Sequence, residues 1–156
     1  MPIVLVRVDE RLVHGQILEG WLPLTRAQEL IVANDLLAQD CLQKTIIRSA
    51  VPHPIRLVID SVDGIASFLQ RHGNSETRRM VIVDNPVDAL RLRRAGVRFT
   101  KLNLGNVISS EVSVCLSRTV SLGGDNLCAL RKILKEGVHV SIQTVPFEAP
   151  LDILEV

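Results

Sequence analysis

The chain has 156 residues, 47% hydrophobic and 22% charged, and its 18 basic and 17 acidic side chains leave a net charge of +1. This is the balance of one globular domain, expected over residues 1–156, able to bury a core without disulfides or a metal. With one Trp, three Phe and no Tyr, it has neither the basic field nor the stacking rings of a nucleic-acid partner, so any anion must be held by a local site.

No apolar run reaches the length of a membrane span, and MPIVLVRVDE lacks the basic region and long apolar stretch of a signal peptide. A cytoplasmic protein is expected. Cys41, Cys115 and Cys128 form no paired spacing, which fits a reducing compartment. Cys41 and Cys128 lie among aliphatic residues and are expected to be small buried hydrophobes. No CxxC or HxxxH spacing suggests a metal, and neither metal nor cofactor is expected.

In chain order, strands are expected at Ile3–Val8, Glu29–Ala33, Ile55–Ile59, Arg79–Val83, Lys101–Leu104 and His139–Val145, with a short one at Thr119–Leu122. Continuous apolar runs such as IVLV and LIVA suit strands covered on both faces. Helices are expected between them. Gly15–Pro23 is short. Asp35–Ala50 carries Ala38, Leu42 and Ile46 near one face. Ser61–His72 opens on Ser and stops at Gly73, and Pro86–Ala95 follows Asn85 and stops at Gly96. Asp125–Glu136 ends at Gly137. The longest irregular stretches are expected after Gly73 and Gly105. The alternation predicts an α/β fold, a single-domain three-layer sandwich whose mostly parallel sheet is flanked by helices.

In such sheets ligands bind beyond the carboxyl ends of the strands, which directs attention to Asp9-Glu10-Arg11-Leu12-Val13-His14-Gly15-Gln16. His14 offers a nucleophilic imidazole. A phosphoryl group brings close to two negative charges, and backbone N–H groups of Gly15 and Gln16 at a helix start would favour it. Arg11 could stabilise that charge with a planar fork of donors. Asp9 can accept a hydrogen bond from Arg11 or from an imidazole N–H and so fix the tautomer. Spacing alone leaves the plainer readings open, since a lone loop histidine is often only a loop residue and an Asp–Arg surface pair contributes little. No Ser or Cys nucleophile lies nearby, and no GKS/T ending marks a nucleotide loop.

RVDERLVHGQ closely resembles the R-[IV]-D-x-R-L-[IV]-H-G-Q signature of IIB components in the mannose/fructose/sorbose family of the phosphoenolpyruvate-dependent sugar phosphotransferase system. The resemblance runs the full length, through Asn34-Asp35, Lys44-Thr45, the N-P-x-D-A-L stretch from Asn85 to Leu90, Ala95 to Val97, L-N-L-G-N from Leu102 to Asn106, T-V-S-L from Thr119 to Leu122, and Val145-Pro146. It implies a mostly parallel α/β fold and a phosphoryl carrier in sugar uptake. In the family's terms His14 takes phosphate on Nδ1 from a phosphorylated IIA partner and gives it to a sugar brought through the membrane by IIC and IID. Arg11 matches the family's active-site arginine and Asp9 the acid before it. The protein would then be a protein-histidine phosphotransferase, cytoplasmic or peripheral at the membrane through IIC and IID.

Residues 107–118 lack the family's frequent Gly-Lys stretch, and GGDN at 123–126 is less acidic than usual. The alternative reading is a regulatory phosphoprotein that reports phosphotransferase status through docking.

Asn34, Asp35, Asp84 and Asn106 follow expected strand ends and are candidates for the border of the site, although Asp35 and Asn85 also suit helix caps. Arg91, Arg93, Arg94 and Arg98 read as a solvated face or a docking patch, with Arg91 and Arg94 on one face and Arg93 elsewhere. Trp21 suits either a partner contact or the core. His53, between two prolines, reads as a rigid loop residue, and His72 and His139 have no chemical constellation around them. A homodimer is compatible with the sequence, although no coiled-coil or open-edge signal asks for one.

Overall fold

The computed structural model describes residues 2–156. Nine strands form one sheet: β1 (Ile3–Asp9), β2 (Glu29–Ala33), β3 (Arg56–Asp60), β4 (Arg79–Val83), β5 (Lys101–Ile108), β6 (Val114–Cys115), β7 (Val120–Leu122), β8 (His139–Ile142) and β9 (Leu151–Ile153). Six helices connect them: α1 (Leu22–Thr25), α2 (Asp35–Ala38), α3 (Cys41–Ala50), α4 (Val62–Arg71), α5 (Pro86–Arg94) and α6 (Gly124–Lys135). A π-helical segment, Gln16–Trp21, leads directly into α1.

The strand order is β3-β2-β4-β1-β5, and the far edge of β5 is shared. Its first half pairs with β8 and its second half with β7. These pairings are parallel, while the terminal pairs β6·β7 and β8·β9 are antiparallel. The expected α/β class with a mostly parallel sheet holds.

Alternation along the strands separates two cores. Ile31 and Ala33 of β2 face the layer of α4, α5 and α6, with Ile65, Leu92 and Ile133. Leu30 and Val32 face the other side, with Ile17, Trp21, Leu22 and Leu37. This side-to-side division is the period of two that a strand imposes.

Several sequence expectations shift. The single helix expected over Asp35–Ala50 breaks at Gln39–Asp40, because the Asp40 carboxylate caps a new helix at the Gln43 N–H, 3.0 Å away. Leu42 and Ile46 of that new helix are exposed rather than packed. Cys41 and Cys128, expected to be buried, are exposed along with Cys115, because their helical phase points them outward. Gly105 lies inside β5, not in an irregular stretch, and Asn106 with it. β6 and β9 carry too few residues for a periodic signal and are not among the expected strands.

The capping expectations hold at Ser61 and Asn85, whose side chains accept from Gly64 N and Asp88 N at 3.0 and 2.8 Å. At α2 the cap is Asn34, which accepts from Leu37 N at 2.8 Å. Asp35 instead accepts from Val62 N at the start of α4, 3.0 Å away, and so joins two helix starts.

Candidate active site

β1 lies between β4 and β5, where the strand order changes direction. The loop after β1 therefore sits at the switch point of the sheet, where a crevice opens beyond the strand ends. A turn closes this loop: Leu12 N–H donates to Asp9 O at 2.9 Å, with Leu12 in the left-handed region at φ 54°. A bulky residue rarely adopts that conformation, so the turn is held by its surroundings. It folds His14 back over the end of β1.

His14 and Asp9 meet directly, with Nε2 2.8 Å from Asp9 Oδ2. The other ring nitrogen, Nδ1, is shielded and has no hydrogen-bond partner among the described residues. A carboxylate only accepts, so in the neutral ring Nε2 carries the proton and Nδ1 keeps its lone pair.

Asp9 is fully buried and is a hub. Oδ2 also accepts from Asn106 Nδ2 at 3.0 Å and from Arg7 Nε and Nη2 at 3.2 and 3.1 Å. Oδ1 accepts from the Arg11 backbone N–H at 3.0 Å. Burial pushes the Asp9 carboxyl up, but the bonds from His14 and Asn106 and the charge of Arg7 outweigh it and hold it below its ordinary value.

The sequence reading did not single out Arg7. It is fully buried, and its remaining donors reach Asn103 Oδ1 and the carbonyls of Gln143 and Thr144. Its guanidinium carbon lies 5.1 Å from the centre of the Trp21 ring, and Trp21 Nε1 donates to the same Thr144 carbonyl at 3.1 Å. Trp21 is thus a core residue. Arg7 and Asp9 are two apart on one strand and share a face, a signal present in the sequence.

Arg11 is exposed, and its guanidinium makes no ion pair or hydrogen bond among the described residues. It contributes its backbone to Asp9 and leaves its side chain free at the rim. Gly15 opens onto empty space, and Gln16 Oε1 accepts from Asn106 Nδ2 at 3.3 Å. The π-helical segment starts here, with Ile17 and Leu18 N–H groups both 3.0 Å from the His14 carbonyl.

The other border candidates divide. Asn106 joins the Asp9 hub. Asn34 and Asp84 bond to each other at 2.8 Å, across the ends of β2 and β4. Asp35 is exposed and pairs with Arg91 at 2.8 Å. None of these three is bonded to His14 or Asp9.

The basic run also divides, but not as its helical spacing predicted. Arg91 reaches Asp35, Asp88 and Asp63, whereas Arg93 and Arg94 both approach Glu136, at 3.8 and 3.6 Å. Among the described residues no group of three or more His, Cys, Asp or Glu is placed to hold a metal ion, and no helix is long and apolar enough to cross a membrane.

The family described as the PTS system sorbose subfamily IIB component matches residues 3–156. The chain belongs to this family. The IIB chain is 30% identical to the fructose-specific EIIB component of Bacillus subtilis, covering 100% of this chain and 96% of the relative. It is 28% identical to the sorbose-specific EIIB component of Klebsiella pneumoniae, over 99% and 94% of the two chains. It also matches the mannose-specific EIIAB component of Escherichia coli at 27% identity, spanning 48% of that longer protein. The crystal structure of the IIB domain of the Klebsiella pneumoniae sorbose permease superposes with a TM-score of 0.91 at 28% identity, over 99% of this chain and 94% of that one. The expectation of a IIB component of a sugar phosphotransferase system therefore stands.

Proposed function

We propose that this IIB component carries a phosphoryl group on Nδ1 of His14, received from a phosphorylated IIA partner and passed to a sugar brought by IIC and IID. The observation that carries this reading is the division of labour on the imidazole: Nε2 is held by a buried carboxylate, and Nδ1 is left without a partner. Unpartnered buried polar atoms are rare, and a catalytic role is one reason for a native structure to keep one.

In the first step the Nδ1 lone pair attacks the phosphorus of the donor's phosphohistidine. The new N–P bond forms as the donor's N–P bond breaks, and the donor nitrogen leaves with its electron pair. The proton on Nε2 stays in place, and the Asp9 carboxylate balances charge that develops on the ring. Phosphoryl transfer needs little covalent help beyond position and charge. The free Arg11 guanidinium and the backbone N–H groups of Gly15 and Gln16 are the donors available to the phosphoryl oxygens. In the second step a sugar hydroxyl oxygen attacks phosphorus as the Nδ1–P bond breaks; Nδ1 leaves with the electron pair, the hydroxyl proton passes to solvent water, and His14 returns to the neutral ring with Nε2 still protonated. The protein would act in the cytoplasm, at the membrane face when IIC and IID are engaged.

The test is transfer from phosphoenolpyruvate through the general phosphotransferase proteins and a IIA donor, followed by intact mass and fragmentation. One acid-labile phosphate on His14, absent in a folded His14→Ala variant, is the expected result. No phosphate with several competent IIA donors would overturn the reading.

A further inference from the structure

Arg7 lies one layer behind the chemistry. It is fully buried, and its hydrogen bonds go to Asp9, Asn103 and the carbonyls of Gln143 and Thr144. Its place depends on Gly105. A Cβ on that residue would stand 2.0 Å from Arg7 Nη2 and 2.2 Å from its guanidinium carbon. Gly105 is also the extra residue where the β1·β5 register slips, between the pairs Val8↔Leu104 and Asp9↔Asn106. Bulges re-aim side chains, and this one turns Asn106 onto Asp9 while leaving a notch for the guanidinium.

We propose that Arg7 is a positioning residue: it keeps the Asp9 carboxylate charged and aimed at His14 Nε2, and the notch at Gly105 holds it in place. The consequence for phosphoryl transfer rests on the carrier reading given above, whereas the effect on the ring itself does not.

The charged groups facing this hub are few. Asp9 faces Arg7 on its own strand and His14 on the following loop. Arg7 faces Asp9 and, at longer range, Glu148 on the segment between β8 and β9. Asn103, Asn106 and Gln16 contribute dipoles only. Among the described residues Arg7 is thus the cation in contact with the Asp9–His14 pair. Removing it makes one more proton on the pair easier to hold, whether that proton resides on the carboxylate or on the ring. The titration of the pair as a unit must therefore move to higher pH.

The experiment is a nitrogen-15 titration of the His14 ring by NMR, run on the parent, Arg7→Met, Arg7→Lys and Gly105→Ala. The neutral parent ring should show a protonated Nε2 and an unprotonated Nδ1. In Arg7→Met the pair should take up its extra proton about one pH unit higher. Arg7→Lys, which keeps the charge, should shift by less. Gly105→Ala should shift in the same direction as Arg7→Met, because its added methyl displaces the guanidinium without altering a charge.

If Arg7→Met does not fold, Gly105→Ala and Asn103→Ala carry the same readout. A folded Arg7→Met or Gly105→Ala variant that titrates with the parent would overturn the proposal. A shifted titration in a protein whose parent accepts no phosphate would leave the proposal standing and overturn the carrier reading. A parent that is phosphorylated, with variants whose titration does not shift, would do the reverse.

Discussion

Replacing Asp9 with Asn removes one charge and almost no volume, yet it should damage both stability and transfer. Asp9 Oδ2 accepts from four nitrogens, and Oδ1 accepts from the Arg11 N–H. An amide can face only one of these two sides with its oxygen. Kept toward Arg7 and His14, its NH2 meets the Arg11 N–H donor to donor. Turned the other way, its NH2 meets four donors. In either orientation Arg7 is left as a buried cation without its counterion.

Breaking a buried pair from one side costs about 3–5 kcal/mol. Arg7 keeps Asn103 and two carbonyls, so the lower end, about 3 kcal/mol, is expected here. For a domain of this size that corresponds to a fall in melting temperature of about 10 °C. Urea unfolding monitored by circular dichroism measures the loss directly, and intact mass after incubation with phospho-IIA measures acceptor competence. The double variant Arg7→Met/Asp9→Asn, which removes both charges, should lose less than the sum of the two single variants, because no orphan charge remains. A folded Asp9→Asn protein that melts within about 3 °C of the parent would refute the reasoning, since about 1 kcal/mol moves the midpoint by that much. The same hub predicts acid sensitivity. The Asp9 carboxyl is held below its ordinary value of 3.8 in the folded chain, so its contribution is present above that pH and lost as pH falls below it.

Arg11→Lys should slow phosphoryl acceptance about tenfold or more, because an ammonium offers no planar fork, while leaving stability within about 0.5 kcal/mol because the side chain is exposed. Transfer at the parent rate, followed by rapid quench, would remove Arg11 from the mechanism. Under the proposed mechanism strong chelation should leave transfer from preformed phospho-IIA intact, since that step involves no nucleotide, and loss of this transfer with a chelator would contradict it. Arg91→Ala should destabilise the chain by about 1 kcal/mol at low salt and less at high salt, since this half-exposed side chain ties Asp35, Asp63 and Asp88 together across α2, α4 and α5. Thermal melts at two ionic strengths measure the difference.

The fold was legible because the apolar runs are strong local signals. β2 and β4 are read to the residue, and α4 and α5 carry their start and stop residues within the chain. What failed depended on phase or on distant partners. Cys41 and Cys128 have aliphatic neighbours in sequence, but helical rotation turns them to solvent. Asp40 lies in an apolar-periodic stretch, and only its side-chain bond to Gln43 N–H shows that a new helix starts there. Gly105 reads as a loop residue until β1 is laid beside it. At the site, the segment from Asp9 to Gln16 stands out by its chemistry. The sequence offers Arg11 or an imidazole N–H as the donor to Asp9, and both reach it, while the buried cation, Arg7, lies on the same face of β1 two residues upstream.

The remainder of the site could not be read locally, because the residues that fix Arg7 come from three separated places. Asn103 and Gly105 belong to β5, the carbonyls of Gln143 and Thr144 follow β8, and Trp21 closes the π-helical segment. Each contributes geometry and none contributes a reactive group. An exposed histidine on a loop would lose its orientation to thermal motion, and an isolated buried carboxylate would take up a proton. Placing the histidine on a strained turn over a carboxylate that is itself held by a buried cation resolves both problems. The turn at Leu12 fixes where the ring lies, and the Asp9 charge fixes which nitrogen is free. In the proposed carrier the acceptor nitrogen therefore depends on β5 and the segment after β8 as much as on the eight residues from Asp9 to Gln16. Substitutions at Asn103 or Gly105 should be read as changes to His14.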